Sequence, residues 1–221
     1  MRDLSEWKGA RAPEPATLRG RYVTIEPLDA AKHAAALWQA VEGHDELWTW
    51  LPECPPASEA EFAAGVERKQ SAPGFVFLAI VPHTTGQAAG WASLMRADAA
   101  NGTIEVGFIL YSPALQRTRA ATEAMYLMAR HVFEDLGYRR YEWKCNALNE
   151  PSRRAALRLG FTFEGIFRQH MVVKGHSRDT AWFSMLDIEW PARKQAFEAW
   201  LDPRNFDESG RQIDRLADRD Y

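Results

Sequence analysis

The spacing of apolar positions changes along this chain, and each change marks an element. From Ile104 to Tyr111 the run IEVGFILY is rich in β-branched and aromatic residues, as in a strand. After a turn at Ser112-Pro113 the period lengthens. Ala121, Met125, Met128, Val132 and Leu136 recur at helical spacing, and Gly137 supplies a stop. Upstream, residues 1–20 are polar and Pro-containing, an extended lead-in. RYVTIEP over 21–27 alternates as a first strand, and the Ala-rich stretch 30–42 reads as a helix. Ser58 and Glu61 form a capping box for a second helix ending near Gln70. Residues 75–81 and 88–95 read as a hairpin around His83-Thr84-Thr85-Gly86.

Downstream of the long helix, 138–145 reads as a strand. Asn149 caps a short helix with Pro151 in its first turn, and Gly160 ends it. Residues 161–167 and 180–190 read as closing strands about a Gly175-His176-Ser177 turn, followed by a helix over 191–201 and a charged, loosely held tail. This order predicts one α/β (α+β) domain over 21–190, a mixed and mostly antiparallel sheet flanked by helices. A lead-in (1–20) precedes it, and a C-terminal helix with polar tail (191–221) follows.

With 27 basic and 30 acidic residues, the net charge of −3 gives no support for binding nucleic acid through charge. Cys54 and Cys145 suggest neither a disulfide framework nor a metal site, and the six histidines show no ligand spacing, so no metal is expected. The N-terminus lacks an apolar signal core and no apolar run approaches the roughly 20 residues that span a bilayer. The expectation is therefore a cytoplasmic protein with no membrane partner; a homodimer is left open.

Candidate chemistry centres on Gln116-Arg117-Thr118-Arg119, the basic loop that opens the long helix. A helix's first turn presents N–H groups without intrahelical partners, and with the helix dipole they form an anion site. Ala120 and Ala121 allow close approach, Arg117 and Arg119 add charge, and Thr118 adds a hydroxyl. The loop reads as a diphosphate cradle; the plain alternative is a solvated basic turn. A nucleotide-binding domain is disfavoured, because neither GxxxxGK[ST] nor GxGxxG occurs.

Gln116-Arg117-Thr118-Arg119-Ala120-Ala121 resembles the phosphate motif of the GNAT N-acetyltransferases, in the branch of the ribosomal-protein alanine acetyltransferases (Rim type). Asn149-Glu150-Pro151-Ser152 with Gly160-Phe161 resembles that family's second segment, and Glu164-Gly165 and Arg168 suit the same branch. One departure is Arg119, where the family has glycine; if that position needs positive φ, arginine is costly there. The resemblance implies the GNAT fold, with the central strand and the 138–145 strand splaying apart around the pantetheine arm of acetyl-CoA. It implies cofactor contacts from Phe108, Ile109, Leu110, Gln116, Arg117, Thr118, Arg119, Ala120, Ala121, Thr122, Asn149, Ser152 and Arg154.

Amide formation from a thioester needs a neutral amine, a stabilised oxyanion and a proton for the departing sulfur. An α-amine titrates at about 7.7–8.0 and a lysine at about 10.4, so a lysine acceptor needs more help from a base. Glu105 is the first candidate base, read as sharing a strand face with Gly107, Ile109 and Tyr111 in apolar surroundings; Glu26 is an alternative. Asn149 is a helix cap that the resemblance also places at the pantetheine. Ser152 is the candidate proton donor, with Tyr111 as another and Tyr141 read as sheet packing. Trp48 and Trp50 in a loop, with Trp91, are candidate walls of the acceptor pocket. The leading function is acetyl transfer from acetyl-CoA to a primary amine, a protein N-terminus or a small molecule. The rival is a non-catalytic acyl-CoA sensor.

Overall fold

A computed structural model describes residues 3–216. Eight strands form a single sheet: β1 (Leu18–Arg19), β2 (Val23–Pro27), β3 (Phe75–Pro82), β4 (Gly90–Asp98), β5 (Thr103–Tyr111), β6 (Arg140–Asn146), β7 (Thr162–Val173) and β8 (His176–Leu186). The order across the sheet is β1-β2-β3-β4-β5-β6-β8-β7. All neighbours are antiparallel except β5 and β6, as a mixed, mostly antiparallel sheet requires. A parallel pair needs a crossover, and α3 (Arg119–Arg130), extended by a π-helical turn over His131–Asp135, supplies it. Gly137 ends the crossover at φ +76°, where a side chain would be strained.

The helical stripe expected on α3 is buried throughout. So is nearly everything else on that helix, because it lies between the sheet and α5 (Trp190–Leu201). Glu123 survives there because its carboxylate accepts the backbone N–H groups of Arg21, Tyr22 and Val23 at 2.8, 2.6 and 3.0 Å. That bond set ties the start of β2 to α3. On the opposite face α1 (Ala30–Val41) and α2 (Glu59–Gln70) cover a second core of Leu37, Trp48, Phe62, Phe77, Trp91 and Leu110. Both helices begin as read, with Asp29 and Ser58 as caps. The box at α2 is shifted, since Glu61 accepts from Ala57 N rather than from the cap's own N–H.

Two expectations change at the C-terminal side. The first closing strand runs on to Val173, the second keeps its length but starts four residues earlier, and together they form a hairpin from 162 to 186 that outruns β6. The tail is not loosely held as far as it is described. Asn205 is buried, its amide donating to Trp200 O and Asp214 O, and Phe206 bridges to Gln212. Residues 217–221 lie outside the described residues. The lead-in is also anchored, with Ala10 N donating to Ala99 O and Trp7 Nε1 to Ala100 O.

Candidate active site

The sheet opens where β5 and β6 part. Their last parallel pair is Val106 with Trp143; beyond it β6 pairs with β8 only. On β5, Phe108 and Ile109 together face the single residue Ala92 of β4, a bulge. Phe108 takes φ +50° to make it. The splay implied by the family resemblance is thus present. A cleft of about 1440 Å³ runs through the gap, larger than the roughly 300–1,000 Å³ of a site for one small ligand.

The bulge corrects the face assigned to Glu105. Alternation breaks at Phe108, so Ile109 and Tyr111 pack with Ile104 and Val106 on the α3 side. Phe108 and Leu110 join the α1/α2 side. Gly107 shares Glu105's face, and a Cβ there would stand 2.6 Å from Met95 Cε. Nor are Glu105's surroundings simply apolar. The carboxylate is buried, and its Oε2 receives Arg96 Nη1 at 2.8 Å and Lys144 Nζ at 2.9 Å. Lys144 is shared with Glu142 at 2.6 Å. Oε1 has no hydrogen-bond partner among the described residues and faces Gly107 in the cleft. Glu26 is elsewhere, held by Lys32 and His33.

On the α3 side, Ser112 O accepts from Leu115 N and Gln116 N, which seats the loop. Thr118 is the helix cap, its Oγ1 accepting from Ala121 N at 3.1 Å. The N–H groups of Arg119 and Ala120 find no acceptor among the described residues. The left-handed residue is Arg117, φ +61°, and not Arg119. Arg119 is already helical, so arginine in place of the family's glycine carries no backbone cost there. Its guanidinium lies over Tyr22 at 5.1 Å and Phe206 at 4.5 Å. An anionic diphosphate suits this set: free donors, a helix dipole and nearby Arg21, Arg117, Arg119 and Arg158.

Helix α4 (Glu150–Arg158) stands beside β6. Asn149 caps it, Oδ1 accepting from Ser152 N at 3.1 Å. The Ser152 hydroxyl does not satisfy a backbone N–H; it accepts from the buried Trp143 indole at 3.0 Å, which leaves its own proton to give. Cys145 is its other neighbour. Burial pushes that thiol up, with Ser152 opposing the shift. The cleft face of α4 carries Pro151, Ser152, Ala155, Arg158 and Leu159. Arg154 is off that stripe, exposed and paired with Glu150, so it does not reach the cleft. Arg158 does, donating to Thr122 Oγ1 at 3.2 Å. Its helical phase was readable in the sequence.

Tyr111 and Tyr141 bury their hydroxyls without a partner, and burial raises both phenols far above their usual range. Tyr141 packs in the sheet as read. Of the three acceptor-wall tryptophans, Trp50 lines the cleft beside Leu47, Leu51 and Pro52. Trp48 and Trp91 do not: both are buried in the second core. A 3₁₀ turn over Asp45–Trp48 turns Trp48 inward, and β4's alternation takes Trp91 with it. The hairpin closes this side, Lys174 Nζ donating to Trp48 O at 2.7 Å. His170, Arg178, Phe206 and Gly210 also line the cleft and went unnoticed in the sequence, since only tertiary folding brings them there.

Among the described residues no cluster of His, Cys, Asp or Glu could hold a metal ion, and no helix is long and apolar enough to cross a membrane. Residues 23–162 match the acetyltransferase (GNAT) domain family. The chain is 51% identical to a GCN5-related N-acetyltransferase from Brucella melitensis, whose crystal structure superposes with a TM-score of 0.95 over 97% of this chain and 98% of that one. A Chromobacterium violaceum structure described among "probable acetyltransferases (GNAT family)" is 41% identical, TM-score 0.81, over 87% of this chain and 96% of that one. A Bacillus subtilis protein named "Putative ribosomal N-acetyltransferase YdaF" is 29% identical over 109 residues, 49% of this chain, and the chain spans 59% of that relative's length. The family match covers well over half of the sequence: the chain belongs to the GNAT family of N-acetyltransferase enzymes.

Proposed function

We propose that this protein transfers the acetyl group of acetyl-CoA to a primary amine by direct attack of the amine on the thioester. The observation that carries the reading is the gap between β5 and β6, with unpartnered helix N–H groups on one side and the Glu105 carboxylate on the other. When bound, acetyl-CoA supplies the activated acyl carbon. The first turn of α3, with Arg117, Arg119 and Arg158, holds the diphosphate end. The bulged backbone at Phe108 and Ile109 orients the arm within the gap. Glu105 Oε1 takes the proton of the attacking amine, while Arg96 and Lys144 fix the carboxylate through Oε2. The Ser152 hydroxyl, held by Trp143, gives its proton to the departing sulfur and regains one from water, to which Glu105 releases the amine's proton, so that CoA leaves as the free thiol. Trp50 walls the acceptor side.

The name of the Bacillus subtilis relative and the motif resemblance favour a protein N-terminus among the acceptors. The test is CoA release with an amine panel, in the parent and in Glu105→Gln. The variant keeps the shape and removes the base. Turnover at neutral pH falls roughly 10²-fold, acetyl-CoA affinity is unchanged, and rate recovers as rising pH deprotonates the amine. A variant with the parent's whole pH–rate profile makes Glu105 structural. Acetyl-CoA binding with no consumption by any amine would favour the sensor.

A further inference from the structure

The cleft is strongly cationic in a chain whose net charge is −3. At the α3 end, Arg21, Arg117, Arg119 and Arg158 match the phosphates of the proposed cofactor. Three more cations lining the cleft gather around Glu105 and His170: Arg96, Lys144 and Arg178. Glu105 is the one carboxylate lining the cleft among the described residues. It pairs with Arg96 and Lys144, and Glu142 takes a second share of Lys144. Arg178 is left over. Its guanidinium has no ion pair and no hydrogen bond among the described residues, and its Nε is buried without an acceptor. Burial lowers its pKa, opposed by Cys145 and Glu105 and aided by Arg96, yet a guanidinium stays charged at neutral pH. His170 senses the same excess: burial pulls its imidazole below the usual range, and Arg96, Arg178 and Lys144 pull it further.

Arg178 sits on β8 opposite Met171, in the part of the hairpin that extends past β6. The hairpin tip is tied to the Trp48 carbonyl, so the guanidinium stands on a framed wall and not on a free arm. A planar, half-desolvated fork with open donors is suited to a carboxylate and not to a second amine. Resting on the acetyl-transfer reading above, we propose that the acceptor is an anionic amine, one whose carboxylate is bound by Arg178 while its amino group faces Glu105. A free amino acid and a peptide N-terminus followed by an acidic residue present the same chemistry.

The experiment compares acceptors that differ in that charge, with each kcat/KM referred to the neutral-amine fraction, because amidation also lowers the pKa of a free amino acid's amine. Free amino acids are set beside their carboxamides, and short peptides with Asp or Glu at the second position beside those with Asn or Gln. Each is measured for kcat/KM in the parent, Arg178→Gln and Arg178→Lys. In the parent the acid is preferred over its amide by roughly 10–100-fold, the range of a charge-assisted pair. Arg178→Gln abolishes that preference through the acceptor KM, with acetyl-CoA KM unchanged, and Arg178→Lys restores part of it. Whichever acid series shows the preference identifies the source. Equal use of acid and amide by the parent, or a preference that survives Arg178→Gln, overturns the proposal. Melting shifts with the acids alone read the site without turnover. A shift in the parent that Arg178→Gln removes, with no acetyl transfer, would fault the acetyl-transfer reading and spare the site. No shift and no preference would fault the site alone.

Discussion

Replacing Ser152 by alanine removes one oxygen from a contact of two parts, and the two parts are separable. The helix cap is untouched, because Asn149 bonds the backbone N–H of Ser152 and not its hydroxyl. What is lost first is the acceptor of the Trp143 indole, 3.0 Å away on a side chain only 6% exposed. An orphaned buried donor costs about 1–3 kcal/mol. For a domain of this size about 1 kcal/mol moves Tm by roughly 2–4 °C, so the fall should be roughly 2–12 °C. What is lost second is the proton proposed for the leaving sulfur, worth roughly 10²-fold in turnover. Thermal melts, and CoA release at a temperature where the variant is folded, on one preparation, measure both. Trp143→Phe, alone and in the Ser152→Ala background, completes a cycle, in which the indole bond appears as a coupling energy in stability and not in turnover. An unchanged turnover in the folded variant refutes the leaving-group role. Unchanged stability with zero coupling refutes the indole bond.

Arg117→Gly relieves a left-handed arginine, so stability should rise by about 0.5–1 kcal/mol, while binding of CoA weakens more than binding of pantetheine; isothermal titration of both ligands checks it. Trp48→Ala should cost about 3–5 kcal/mol in a urea melt, whereas Trp50→Ala stays near the parent in stability and raises the acceptor KM. Glu123→Ala strands three N–H groups at the start of β2 and should cost roughly 3–5 kcal/mol, a loss that Glu123→Gln recovers in part.

Local features of the sequence reached the helix starts and the anion loop, because caps and first turns are written in a few adjacent residues. Thr118, Asn149 and Ser58 all cap as short-range chemistry dictates. Strand faces past Phe108 were not legible: one bulged residue inverts the alternation, and nothing in IEVGFILY announces it. The tail misled for a related reason. Its charge hid Phe206 and Leu216; Phe206 takes Arg119, far away in sequence, as a partner, and Leu216 joins the main core. Arg154 and Arg158 show a legible feature misread, since helical phase alone puts the first off the Ser152–Ala155–Leu159 stripe and keeps the second near it.

Backbone strain supplies an independent pointer to the same cleft. Among the described residues, five other than glycine take positive φ: Arg96, Phe108, Arg117, Gln169 and Lys174. Each costs roughly 1–2 kcal/mol over a right-handed or extended residue, and a random scatter would place most of them in outer turns. Arg96, Phe108 and Arg117 instead line the cleft and Gln169 precedes His170, while Lys174 takes its φ in the two-residue hairpin turn with Gly175. Glycine would hold these conformations more cheaply, and three of the side chains make contacts that glycine would lose. Phe108 stacks edge-on to Phe75 and Phe77 and so fixes the bulge. Arg96 holds Glu105, and Lys174 holds the hairpin that presents Arg178. Strain of this kind persists where the surroundings over-determine it. Here those surroundings are the two sheet faces between which β5 and β6 separate.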